Sequence, residues 1–200
     1  MHNKEIVIFD TEYTAWEGSQ ERKWTGPNEY KEIVQIAAIS IDAHTLEEKD
    51  EINLYILPEK NPKLSEYFTN LTGITQETVD RKGVAFKEAV EKFSTFCDTR
   101  KIYSFGGDER VFRENATVLG LSMSFSSEQF FDVKDIFRRA GIDPTGYMSS
   151  TIVEAFGGKS KLRAHEALND VRTIVEALRI VKKRGLLNLE QAFNLSAEFP

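Results

Sequence analysis

A mixed α/β sheet with helices on both faces is the fold class this sequence predicts, and three observations carry it. Three extended segments, two of them rich in Ile and Val, follow one another near the N-terminus, the second and third joined by a short link. Two further short segments, near residues 101 and 130, each lie between helical patterns. A long amphipathic helix follows near the C-terminal end. Hairpin-like strands first, then strands alternating with helices, give a sheet with both antiparallel and parallel pairs. A chain of 200 residues with 40% hydrophobic content is long enough for one well-buried core. The expected organisation is a single domain over residues 1–200.

Taken in order, residues 5–9 read as a buried strand by their Ile and Val content. Residues 15–31 form a long polar stretch with Gly18, Gly26, Pro27 and both tryptophans, Trp16 and Trp24. A loop of this length inside a compact domain is uncommon and often functional. Two readings stand: a flap whose aromatics, Arg22 or Lys23 touch a substrate, or a loop pinned to the body by its tryptophans. Residues 33–42 and 51–57 read as the second and third strands, and Pro58 and Pro62 stop the third. Short helices are expected over 62–69 and from Thr75, with a turn at 71–75. An amphipathic helix is expected over 84–96, from the spacing of Val84, Ala85, Ala89, Val90, Phe93 and Phe96. The fourth strand is 101–105, followed by a helix over 109–119. The fifth strand is 130–133, with helices over 134–140 and 150–156. The longest helix is 166–183, and a final turn at 189–195 docks after it.

Charge and cysteine content narrow the function classes. A formal net charge of -6 argues against a protein that coats duplex nucleic acid by bulk charge. It leaves room for a nuclease whose metal ions meet the phosphate. Cys97 is the single cysteine, so neither an intramolecular disulfide nor a Cys/His zinc cluster is expected. The N-terminal apolar run is too short and too soon acidic for a signal peptide, and no run reaches transmembrane length. A cytoplasmic location and no membrane partner are the expectations.

The chemistry starts at Asp10-Thr11-Glu12, at the end of the first strand. Side chains at i and i+2 of a strand point the same way, so Asp10 and Glu12 share a side. Two carboxylates that close repel unless a cation sits between them, and a divalent metal answers the need. Solvated acids at a strand end are the plainer alternative. Asp108 follows Gly106-Gly107, either as a site acid or as a helix cap. Near the C-terminus, His165 precedes Asp170 by five residues. Five helical residues rotate by about 500°, leaving the two roughly 140° apart, so His165 is expected in the loop before the helix. Asp170 lies among Ala167, Val171 and Ile174, an acid on an apolar face that needs a partner. Gly158-Lys159-Ser160 lacks the earlier glycine of a phosphate loop, since Val153 holds that position.

These three groups together resemble the motifs of the DEDD exonuclease superfamily: Phe9-Asp10-Thr11-Glu12, then Ser104-Phe105-Gly106-Gly107-Asp108, then His165 with Asp170. The histidine marks the DEDDh branch. Leu71-Thr72-Gly73-Ile74 followed by Val79-Asp80 also resembles this superfamily between the first two motifs, and Trp16-Glu17 and 62–65 resemble the Eri-type and KapD-like 3′ exonucleases in particular. Gly107, Asn169 and Tyr13 depart from the usual residues at their positions, and none removes an expected ligand.

The resemblance implies a ribonuclease H-like fold and a metal-dependent 3′–5′ exonuclease. Its expected partners are single-stranded nucleic-acid 3′ ends, RNA ahead of DNA. It implies two ions, Mg²⁺ or Mn²⁺, suited to an all-oxygen site. Asp10 would bridge both, Glu12 and Asp170 complete one site, and Asp108 hold the other. His165 would accept the proton of the attacking water. Tyr13, Thr14, Trp16, Phe105 and Arg163 are the expected substrate contacts, the aromatics by stacking on terminal bases. A regulatory binding protein on the same fold is the alternative, and retention of all five active-site residues argues for the enzyme.

Overall fold

The computed structural model describes residues 5–121 and 125–193. Its centre is a five-stranded sheet in the order β3-β2-β1-β4-β5. The strands are β1 (Glu5–Tyr13), β2 (Ile33–Asp42), β3 (Glu48–Tyr55), β4 (Lys101–Ser104) and β5 (Phe130–Asp132). β1 pairs antiparallel with β2 and parallel with β4, so it is the seam between the two halves of the sheet. β2–β3 is antiparallel and β4–β5 parallel. This is the mixed sheet expected from the order of elements. β1 runs four residues beyond the apolar segment, and β3 starts three residues earlier than its hydrophobicity indicates. β3 is an edge strand, where Glu48, Lys49 and Asp50 stay in water while their backbone pairs with β2.

Strand periodicity sorts the core. Ile6 and Ile8 enter one apolar cluster, Val7 and Phe9 the other, on opposite faces of β1. The first face is covered by α6 (Ala167–Lys183), α5 (Lys134–Arg139) and α7 (Leu189–Ala192). The second is covered by α3 (Phe86–Cys97) and α4 (Asp108–Val118). Phe93 and Phe112 fill this second core, their ring centroids 5.5 Å apart. Two short helices, α1 (Glu66–Thr72) and α2 (Gln76–Lys82), pack over a third cluster around Val34, Leu64 and Phe68.

Boundaries differ from the sequence reading where caps decide them. Ser65 caps α1 by accepting the Phe68 N–H, so the helix starts at Glu66 and not at Pro62. Leu71 and Thr72 belong to its last turn, and Gly73 ends it at φ 78°, a left-handed value that suits glycine. Val84 lies outside α3 and bridges Ile56 in parallel. The segment expected as a helix over 150–156 is a 3-10 turn, Ile152–Phe156, whose apolar residues satisfy either helical spacing. The final turn is Leu189–Ala192; residues 194 and 195 of the expected turn lie outside the described residues. Among the described residues, no helix is long and apolar enough to cross a membrane.

Candidate active site

The two-residue period of β1 continues past the core. Asp10 and Glu12 follow Ile6 and Ile8 on the α6 side, while Thr11 follows Val7 and Phe9 on the other. A register shift at Glu12/Tyr13 turns the chain out of the sheet directly after the acids. The parallel strands β1 and β4 end at the same edge, which brings Asp108, four residues beyond β4, beside Thr11. Ligands of open α/β sheets gather beyond the carboxyl ends of the strands, and this cleft sits there.

Asp108 is the first residue of α4, and Gly107 occupies the cap position without a side-chain bond. The carboxylate reaches back to β1, where Oδ1 accepts from the Thr11 hydroxyl (2.7 Å) and the Thr11 N–H (3.3 Å). Capping alone therefore does not account for this acid. Asp170 lies in the first turn of α6 and is 3% exposed. Its Oδ2 accepts from the Ser149 hydroxyl at 3.2 Å, whereas Oδ1 is buried without a hydrogen-bond partner. His165 lies two residues before α6 with φ 59°, curled back as the spacing predicts. One ligand atom each from Glu12, His165 and Asp170 lies within 4.8 Å of the others.

The electrostatics follow from crowding acids in a closed space. Burial first, then Asp108, Asp170 and Glu12, raises the Asp10 carboxyl well above its ordinary range. Glu12 is raised likewise by burial, then by Asp170, Asp108 and Glu166. Burial pushes Asp170 up to about 7, eased by Ser149 and the nearby His165 amide. Half-buried Asp108 is pushed up to about 6 by desolvation, eased by its two Thr11 bonds. Burial alone lowers His165, which favours the neutral imidazole. A divalent cation would relieve the penalties on the four carboxylates at once. The raised acids, the orphaned Asp170 oxygen and the oxygen-rich donor set fit such an ion.

The expected substrate contacts fall into two groups. Tyr13 and Phe105 line the acid cleft, whose volume is ≈ 460 Å³. Tyr13 meets Trp24 edge-on at 5.5 Å, and Lys134 Nζ lies 4.6 Å from the Phe105 ring centre. Thr14, Trp16 and Arg163 do not line it. The Thr14 hydroxyl donates to Tyr30 O and accepts the Glu32 N–H, tying the two ends of the 15–31 loop together. Trp16 brackets a turn with Ser19. Arg163 reaches Asn70 O at 3.5 Å, beside Gly73. The tryptophan at the cleft is Trp24, anchored by its indole N–H on Thr14 O at 2.9 Å.

Three residues not singled out from the sequence matter here. Ser149 bonds Asp170 and has no local sequence signal. Gln35 is fully buried in β2, directly across from Glu12. Its amide nitrogen donates to Glu166 Oε1 (3.1 Å) and Asn53 Oδ1 (2.9 Å), and its oxygen accepts the Ala167 N–H (3.1 Å). Glu166 caps α6 by accepting the Asn169 N–H. Asn169 Nδ2 donates to Arg163 O, closing the loop that carries His165. A lone glutamine within the apolar run Ile33–Ile39 was the legible sign of this network.

Known proteins share this plan. The exonuclease family model matches residues 7–178. The chain is 36% identical over 98 residues to the mouse "3'-5' exoribonuclease 1", a match covering 48% of this chain and 26% of that protein. It is 25% identical over 190 residues to the "Probable 3'-5' exonuclease KapD" of Bacillus subtilis, covering 92% of this chain and 87% of the relative. The nuclease domain of 3'hExo, a DEDDh family member bound to rAMP, superposes with a TM-score of 0.77 at 23% identity, covering 92% and 94% of the two chains. The match thus spans about a quarter of the mouse relative but most of the bacterial one. With a family model matched over residues 7–178, the chain belongs to the exonuclease family.

Proposed function

We propose that this chain is a metal-dependent 3′–5′ exonuclease of single-stranded nucleic acid, RNA ahead of DNA, acting as one domain over residues 1–200 and releasing nucleoside 5′-monophosphates. The observation that carries the reading is the convergence of four acids from β1, α4 and α6 on one cleft, with Asp170 Oδ1 buried and unpartnered. When bound, two divalent cations lower the pKa of water and neutralise charge on the attacking and leaving oxygens. In this reading Asp10 would serve both ions, Glu12 and Asp170 one, and Asp108 the other. His165, kept neutral by burial, accepts the proton of the attacking water. Water adds to phosphorus, the 3′ oxygen of the penultimate nucleotide leaves, and the terminal nucleotide departs as its 5′-monophosphate. Tyr13 and Phe105 flank the terminal bases from the cleft wall. Mouse and human relatives named exoribonucleases support RNA as the favoured substrate. The absence of a cysteine pair fits a reducing cytoplasm.

The test uses 5′-labelled RNA and DNA 20-mers with Mn²⁺. A ladder shortening from the 3′ end, with mononucleotide product, is expected for both and faster for RNA. A 3′-phosphate should slow it strongly, and a 5′ block should not. Efficient cutting of circular single strands, or binding without cleavage, would overturn the reading.

A further inference from the structure

Beside the acid cleft lies a second, larger cavity of ≈ 690 Å³, between the 15–31 loop and α4. The two share Gln20, Trp24, Lys31 and Arg110, so they adjoin across a common wall. The second cavity is lined by Lys23, Lys31, Lys60 and Arg110, a concentration of cations on a chain of net charge -6. Its acids are already engaged. Glu32 accepts the N–H groups of Glu59, Lys60 and Asn61 at 2.7, 2.6 and 2.6 Å. Glu29 pairs with Arg22, outside the cavity, and Glu114 lies 3.7 Å from Arg110, offsetting one of the four cations. Lys31 Nζ rests over the rings of Trp24 (4.2 Å) and Tyr13 (5.2 Å), at the ridge between the two cavities. Desolvation, then the neighbouring Arg110, disfavours its charge and Glu114 and Asp108 favour it; a bound anion would add to the favouring side.

We propose that this cationic cavity is a second nucleic-acid site. It holds the phosphodiester backbone of the substrate strand on the 5′ side of the nucleotides in the acid cleft. The inference rests on the exonuclease reading for the direction of the strand. Apart from Lys31 and Arg110, the acid cleft is lined by one lysine, Lys134, which lies over the Phe105 ring, while Tyr67, Leu71, Tyr147 and Met148 offer rings and methylenes that suit bases; most of the cations lie on the Lys31–Arg110 side. The strand therefore leaves over the Lys31–Arg110 ridge. Exposed Tyr30 and Val118 give the second cavity apolar surface for ribose or base.

Lys23 and Lys60 are exposed and lie outside the acid cleft, so Lys23→Gln/Lys60→Gln tests the site. The expected result is an approximately tenfold fall in the ratio of kcat/KM for an RNA 20-mer to that for a trinucleotide. In parallel, fluorescence anisotropy of the 20-mer is followed against salt in chelator, where no cleavage occurs. Two lost phosphate contacts lower the slope of log affinity on log salt by about 1.4 for a single strand. An unchanged ratio with an unchanged slope overturns the proposal, as does equal loss on both substrate lengths. If the parent protein binds the 20-mer but cleaves neither substrate, the exonuclease reading fails while the salt slope still decides the cationic site.

Discussion

His165 is the residue whose role is most sharply divided by geometry. Its ring lies within 4.8 Å of ligand atoms of Glu12 and Asp170, and burial lowers its pKa, which suits the proposed role of base. As the base, His165→Ala should lower the single-turnover rate by about 10²–10⁴-fold with metal affinity nearly unchanged. Asp170→Asn should lower both. Metal titration with single-turnover kinetics on the two variants separates the roles, and equal loss of affinity would make His165 a ligand. The acids carry a pH prediction of their own. Asp170 and Asp108 are raised from 3.8 to about 7 and about 6. A carboxyl raised on folding binds its proton more tightly in the native state. Its stabilisation is complete below the ordinary value and is lost as pH rises through the raised one. The metal-free protein should therefore melt at lower temperature as pH climbs from 5 to 8. Mg²⁺ or Mn²⁺ should flatten the decline, since the ion favours the charged carboxylates. A metal-free melting temperature that rises over this window would refute the assignment.

Among the elements, the start of α6 sets the site. Gln35 ties β2 to Glu166 and Ala167, and Glu166 and Asn169 then fix the loop that carries His165. Gln35→Leu keeps the volume roughly constant and leaves the buried Ala167 N–H unpaired, at about 1–3 kcal/mol. A lower denaturant midpoint is expected together with a reduced turnover number. Normal turnover in a destabilised variant would mean that the network supports the fold alone. Gly73 is a second point of control. It holds φ 78°, and an added Cβ would meet the Arg163 guanidinium at 2.3–2.7 Å. Gly73→Ala strains the end of α1 and displaces Arg163 at once. α6 itself was legible, because Val171, Ile174, Val175, Leu178 and Val181 mark one face over 17 residues. The 3-10 turn at Ile152–Phe156 was not, because five residues are too few to separate the two helical periods.

Over the whole molecule, the proposed cation would be a folding partner as well as a catalyst. Acids from β1, α4 and α6 converge only in the native state, so an ion that binds them there raises the melting temperature with its concentration. Chelator should abolish cleavage and lower the melting temperature, and Mg²⁺ or Mn²⁺ should restore both. Asp10→Asn should remove most of the shift, because Asp10 feels all three other acids. A melting temperature indifferent to divalent ions would argue against a shared metal site.

The sequence by itself determined the strand order of events: an apolar run ending in Asp10 and Glu12, a glycine pair before Asp108, and a loop histidine ahead of Asp170. Each rests on local periodicity, which a strand or helix imposes wherever it lies. The match to the exonuclease family follows from that order. What only the tertiary structure decided is which side chains meet across distant elements. Trp24, not Trp16, reaches the cleft, Gln35 meets Glu166 from 131 residues away, and Lys31 and Arg110 line both of two adjoining cavities. Such contacts depend on how the 15–31 loop folds back over α4 and how β2 lies against α6. Packing of the whole chain sets both, and no short window of sequence contains it.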